Sequence, residues 1–229
     1  MSTTGDLADA KELLGKRKIH AAIARLQGIL NQDPEVQEAL YVLAVCYRYD
    51  DDSQAALTTL DALFELHPDH ARAYQERGHV FRQQGQCDNA LNAYERAVEL
   101  NPALMASWQH LAGLYRDSGS GEDKRSGTCQ KHVERLRKLP PELLSVSSMI
   151  YERKLHQAEQ LCRAFLQKNR QHVEAMRLLA SIATELGILD DADFLLESCL
   201  EFEPDFLAAR YEYSQVLFKR QRFQRSMEQ

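Results

Sequence analysis

Four of the six prolines, Pro34, Pro68, Pro102 and Pro204, are separated by multiples of 34 residues. A fixed period of that length constrains a chain more tightly than composition does. Each repeat must form the same supersecondary unit and bury its apolar face on its neighbours. Cutting from Thr3 gives repeats 3–36, 37–70, 71–104, 105–138, 139–172 and 173–206, then a partial seventh, 207–229. No insertion or deletion interrupts the register, so the reading is one array over residues 1–229.

The repeated element must be helical. Leu and Ala supply 58 residues against 21 for Val, Ile and Thr together, which favours helix over strand. Small residues recur at repeat position 8 (Ala10, Ala44, Gly78, Ala112, Ala180) and at position 20 (Ala22, Ala56, Ala90, Ala158, Ala192). Two antiparallel helices approach closely where facing side chains are small, and bulky neighbours fill the flanking grooves. Gly85, Gly119 and Gly187 share position 15, where a first helix must end and turn. Proline at position 32 stops the second helix. The expected elements are helix A over positions 1–14 and helix B over positions 18–31.

This pattern resembles the tetratricopeptide repeat (TPR) family, through Trp108-x-x-Leu111-Ala112-x-x-Tyr115, Ala56-x3-Leu60, Ala90-x3-Tyr94 and Ala192-x3-Leu196. The resemblance implies an all-α, right-handed superhelical solenoid of antiparallel helix pairs, acting as a protein-interaction scaffold. Three departures stand out. Repeat one carries Asp6 and Asp9 at positions normally apolar, which suits a capping repeat. Repeat four replaces the start of helix B with a Ser/Gly-rich stretch. An irregular loop over about 118–128 is expected there, with helix B starting near Thr128 and burying Cys129, Val133 and Leu136. In repeat seven the half-formed helix B should leave Tyr213 and Leu217 more exposed than Leu179. The end of the chain near Phe223 should then fray or pair with another copy. The phrases Leu40–Arg48, Gln75–His79 and Ala175–Ala180 also look like the repeat arm of bacterial TPR-sulfotransferases, whose catalytic domain uses 3′-phosphoadenosine 5′-phosphosulfate. The alternative reading is such an arm without its enzyme.

Lys and Arg number 28 against 34 acidic residues, a balance that argues against nucleic-acid binding. The five cysteines are never closer than 33 residues, outside disulfide or metal-knuckle spacing. Together with an N-terminus that lacks a signal peptide, this leads to an expected cytoplasmic placement. No stretch has the length of a membrane span. Arg125-Ser126-Gly127-Thr128 spells a phosphosulfate loop but lacks the buried strand such a loop needs. His67 and His70 are two imidazoles without a third ligand, and read better as helix-terminal histidines. Asp50-Asp51-Asp52-Ser53 reads as a helix cap rather than a calcium loop. Neither catalysis, cofactor nor metal is expected.

The functional expectation falls on the inner face of helix A, where positions 2, 5, 9 and 12 align. In repeats two to four they supply the candidate groove Tyr41, Arg48, Arg72, Gln75, His79, Arg82, Gln109 and Arg116. Arginine forks and aromatic faces recognise carboxylate-bearing extended peptides, so the expected partner is a protein or peptide, acidic in character. The carboxylate-clamp pattern of chaperone-binding TPRs is absent, since position 6 is Val42 and Glu76. The corresponding face of the later repeats, with Leu143, Ile150, Tyr211 and Phe218, is expected to be more apolar.

Overall fold

Six successive 34-residue periods each emerge as a helix pair, joined by a tight turn wherever the connection is described. The computed structural model describes residues 3–117, 123–222 and 227. Among these there are thirteen α-helices and no strand. Repeats one to three are α1 (Thr3–Gly15) with α2 (Ile19–Gln32), α3 (Gln37–Tyr49) with α4 (Ser53–Leu66), and α5 (Ala71–Gln83) with α6 (Cys87–Leu100). Repeats four to six are α7 (Met105–Asp117) with α8 (Asp123–Arg137), α9 (Pro141–Tyr151) with α10 (Leu155–Lys168), and α11 (Val173–Glu185) with α12 (Leu189–Phe202). Helix α13 (Leu207–Lys219) stands for repeat seven. None of the described helices is long and apolar enough to cross a membrane.

Chain contacts divide the array into two compact bodies, Met1–Glu134 and Arg135–Gln229. Helices α1 to α7 pack each on its sequence neighbour, as do α9 to α13, and successive A helices also touch, as α3 does α5 and α11 does α13. The cores follow the expected small and large positions. Ala10, Ala22, Leu26 and Ile29 bury against Ala39, Val42 and Leu43 in one cluster, and Ala192, Leu196 and Cys199 bury against Ala209, Tyr213 and Leu217 in another.

The turn chemistry is more uniform than the residues suggest. Position 15 adopts positive φ at Gly85 and Gly187, but also at Arg17, Asp51, Arg153 and Gln221. A left-handed residue is therefore a requirement of the A-to-B turn, and side-chain-bearing residues meet it at a cost of roughly 1–2 kcal/mol each. Caps are equally local. Asp52 Oδ1 accepts from Ala55 N at 2.9 Å, as its acidic run suggests. His70 Nδ1 accepts from Ala73 N at 3.1 Å, and His172, 102 residues later in the same repeat position, does so from Ala175 N at 3.3 Å.

Two expectations need correction. The loop expected over about 118–128 is helix from Asp123 onward, and residues 118–122 lie outside the described set. The Ser/Gly composition misleads because Ser126 is a packing residue. Its buried hydroxyl donates to the Ala112 carbonyl at 2.9 Å, so a small side chain faces α7 two positions later than the usual alanine. Cys129, Val133 and Leu136 are buried as expected. The second correction concerns repeat seven. Tyr213 and Leu217 are 2% and 0% exposed, less than Leu179 at 5%, because both pack on α12 through Ala192, Leu196 and Cys199. Phe223 lies outside the described residues.

The end of α13 is also pinned. Arg220 and Arg222 both donate to Asp193 Oδ2 on α12, the latter at 3.0 Å, and Asp193 is buried. What repeat seven leaves uncovered is a different stripe, Leu207, Tyr211 and Phe218.

Candidate partner-binding groove

Positions 2, 5, 9 and 12 recur at three- and four-residue steps, so each A helix presents them on one face. In the N-terminal body these faces belong to α3, α5 and α7, and their charges are largely organised by bonds between neighbouring helices. Arg48 on α3 donates through Nε to Glu76 Oε2 on α5 at 2.6 Å, both side chains being nearly buried. Burial pushes the Glu76 carboxyl above the usual carboxylate range, opposed by the adjacent Arg48 and by Arg72. Lys11 on α1 pairs in the same way with Glu38 on α3 at 2.7 Å. Arg48 is thus structural, and the strip of four equivalent arginines expected from the sequence is corrected: Arg48 is bound across the face, whereas Arg82 and Arg116 are exposed.

The centre of the face is a polar cluster with a buried aromatic floor. His79 Nδ1 lies 2.7 Å from the hydroxyl of Tyr94, a residue with no exposed surface, and His79 Nε2 lies 3.4 Å from Gln75 Nε2. The His110 ring on α7 stacks on Tyr94 at 5.0 Å and meets His79 edge-on at 5.1 Å. Burial, reinforced by the charges of Arg48, His110 and Arg82, lowers His79 to about 3. Burial and Arg82 lower His110 as well, so neither imidazole adds positive charge near neutrality. The Tyr94 phenol is pushed up to about 12, chiefly by burial, against the pull of Arg82, which is hydrogen-bonded to it.

Arg48, Gln75, His79 and Arg82 therefore converge. Tyr41 stands apart, half-buried and stacked on His70 at 5.2 Å. Gln109 and Arg116 are exposed on α7. Sequence reasoning missed Tyr94, which enters it only through the repeat pattern Ala90-x3-Tyr94, together with Glu76 and His110 as site members. The signal for the last two was position 6, which points toward the preceding A helix. Polar residues occur there at Glu76, His110 and Glu212.

In the C-terminal body Glu212 performs the corresponding task. Arg177 bonds both Glu212 and Glu174, the latter at 2.7 Å. Leu143 is wholly buried in the core and cannot line a groove, which corrects that part of the apolar expectation. Tyr211 and Phe218 are exposed, at 66% and 63%.

The chemical candidates set aside above fall in inert places. Arg125–Thr128 is inside α8. Burial raises the thiols of Cys46, Cys162 and Cys199 to about 11. Among the described residues no group of three or more His, Cys, Asp or Glu is placed to hold a metal ion.

Comparison with known proteins agrees with the repeat register. Two tetratricopeptide-repeat family models match, one at residues 35–103 and one at 7–50 and 75–138. Human tetratricopeptide repeat protein 13 is 25% identical over 119 residues, 50% of this chain and 14% of that protein. Bovine DnaJ homolog subfamily C member 3 is 29% identical over 93 residues, 41% of this chain and 18% of that protein. Human protein O-mannosyl-transferase TMTC1 matches at 23% identity over 56% of this chain and 16% of that protein. The chain spans less than a fifth of each of these relatives. Among solved structures, pilF of Pseudomonas aeruginosa has a TM-score of 0.54 at 17% identity, over 95% of this chain and 97% of that one. A thermophilic TPR protein of Thermus thermophilus has 0.51 at 19%, over 95% and 100%. With family matches across residues 7–138 and the same helix-pair architecture in repeats one to six, the chain belongs to the tetratricopeptide-repeat family and is an all-α solenoid.

Proposed function

We propose that the N-terminal body is a cytoplasmic interaction scaffold that holds an extended, acidic segment of a partner protein across α3, α5 and α7. TPR proteins generally mediate protein–protein interaction, and the charge balance of this face supports the acidic partner. Its acids, Glu38 and Glu76, are bound by Lys11 and Arg48. Arg82 and Arg116 are exposed cations, and Arg72 lies close enough to act on the Glu76 carboxyl, on a chain of formal net charge −6. The neutral, preorganised cluster of Gln75, His79, Tyr94 and His110 supplies hydrogen-bonding groups between them. The sulfotransferase-arm alternative draws no support from the phosphosulfate-like tetrapeptide, which lies inside α8.

An array of acidic and neutral peptides, probed with the full chain, tests this. The Arg72→Gln/Arg82→Gln variant should bind acidic peptides about tenfold more weakly, or ~1.4 kcal/mol, and wild-type binding should weaken with added salt. Lys168→Gln/Arg170→Gln is the control, because Arg220 and Arg222 hold Asp193 and cannot be neutralised innocently. Binding indifferent to both salt and the two groove arginines would sink the acidic-groove reading.

The α13 stripe supports a second contact, pairing with another copy of the chain. Light scattering over a concentration series should then show mass rising for wild type and constant for Tyr211→Ser/Phe218→Ser. Identical masses throughout would rule it out.

A further inference from the structure

Position 7 of the repeat is a core position: Leu43, Leu111, Leu179 and Tyr213 are all buried there. Repeat three places Arg77 at this point. Its guanidinium lies over Phe64 at 5.3 Å and Phe81 at 5.7 Å, and Phe64 in turn stacks on Tyr74 at 4.2 Å. The only carboxylate bound to it among the described residues is Asp61, itself 58% exposed, through a single contact of 3.1 Å from Nη2 to Oδ1. A guanidinium carries five N–H donors, so most of its bonding capacity is unspent although its side chain is only 32% exposed.

Beside Arg77, the outer edges of α5 and α6 form a cleft of about 250 Å3 lined by Tyr74, Arg77, Phe81, Asn89, Asn92 and Ala93. At 100° per residue these α5 positions lie on the side of the helix opposite Gln75, His79 and Arg82. The cleft is thus separate from the groove.

The lining specifies an occupant. Its single charge is a cation and its walls are aromatic rings and a methyl group. The volume is below the ~300 Å3 at which small-molecule sites begin, and suits one side chain. Asn89 and Asn92 stand one turn apart on α6. Asn89 donates one amide N–H to Gln86 Oε1 at 2.8 Å, leaving its carbonyl free to accept, and Asn92 is exposed on the rim. Two rim amides about 4.5 Å apart along the helix match the peptide groups on either side of an inserted residue. A chain-terminal carboxylate would bring only one such group. We infer that this cleft is a second peptide-docking site, which takes a glutamate side chain of an extended partner segment. The glutamate methylenes lie along Tyr74 and Phe81, its carboxylate meets the free edge of Arg77, and Asn89 and Asn92 bond the flanking backbone.

The test is an NMR titration of the full chain with Ac-Ala-Glu-Ala-NH2, following the side-chain amides of Asn89 and Asn92 and the Arg77 Nε–H signal. Saturable shifts at all three are expected. Affinity should fall at least fivefold for Ac-Ala-Gln-Ala-NH2, for Ac-Ala-Gln-Ala-OH and for the Arg77→Leu chain. Leucine is the residue repeats two, four and six place here, so that variant should melt no lower than wild type. Asn92→Ala, at an exposed position, gives a second reading: weaker peptide binding with an unchanged melt. The Arg72→Gln/Arg82→Gln chain should bind the glutamate peptide as wild type does, which separates this cleft from the groove. Equal affinity for the glutamate and amidated glutamine peptides, or indifference to Arg77→Leu and Asn92→Ala, would overturn the proposal. Equal binding of the peptide with a free C-terminal carboxylate would overturn the assignment to a glutamate side chain.

Discussion

Replacing Glu76 with leucine is expected to destabilise the N-terminal body by about 3 kcal/mol, the low end of the range for breaking a buried ion pair from one side. The reason is what remains. Arg48 keeps its charge, its side chain is nearly buried, and its carboxylate partner at 2.6 Å is gone. Cation–π contact with Tyr49 at 4.3 Å offsets only a fraction of that loss. The double variant Arg48→Leu/Glu76→Leu should recover most of the stability, because removing both charges removes both desolvation costs. Urea unfolding of the four chains in a double-mutant cycle measures the coupling directly. A single-variant loss below about 0.5 kcal/mol, or a double variant no better than the single, would show that the pair is solvated and that Arg48 belongs with the exposed cations after all.

The second large effect is a contrast in sign between two helical glycines. Alanine in place of an exposed mid-helix glycine gains up to about 1 kcal/mol in helix propensity. Gly28 in α2 is such a site, since an added Cβ meets nothing within 4 Å. Gly78 in α5 is the opposite case, because the same atom would stand 2.6 Å from Cε1 of the Tyr94 ring. That ring cannot swing aside. It has no exposed surface, its hydroxyl is 2.7 Å from His79 Nδ1, and His110 covers it at 5.0 Å. Gly28→Ala should therefore raise the unfolding free energy, and Gly78→Ala should lower it by about 1–3 kcal/mol despite the propensity gain. The Gly78 change should also perturb the His79 and His110 ring resonances, since the groove cluster rests on Tyr94. Two stabilising substitutions would mean that α5 and α6 are less closely packed than described.

These two experiments touch residues that were legible in the sequence to different degrees. Gly78 was visible as a small residue at position 8, and helix-to-helix approach explains it without any structure. Glu76 was visible only as an obstacle to a chaperone clamp, because its partner is 28 residues away on another helix. A 34-residue register says that positions 12 and 6 of successive repeats are neighbours only once the stacking of A helices is known. The Ser/Gly stretch of repeat four shows the reverse error. Composition describes the intrinsic preference of Ser126, whereas packing against Ala112 decides its conformation.

By itself, the sequence determined the fold class, the helix pairs, their register to within a few residues and most of the buried positions. Those properties depend on local propensity and on a periodic apolar pattern, both of which are written along one dimension. The tertiary structure alone decided which groove charges are spent. Arg48 is bound by Glu76 and Arg177 by Glu212 and Glu174, whereas Arg82 is hydrogen-bonded to the neutral phenol of Tyr94, and Arg77, outside the groove, keeps donors free beside a cleft. An ion pair depends on distance in space and on desolvation of both partners, and neither quantity is a function of sequence separation.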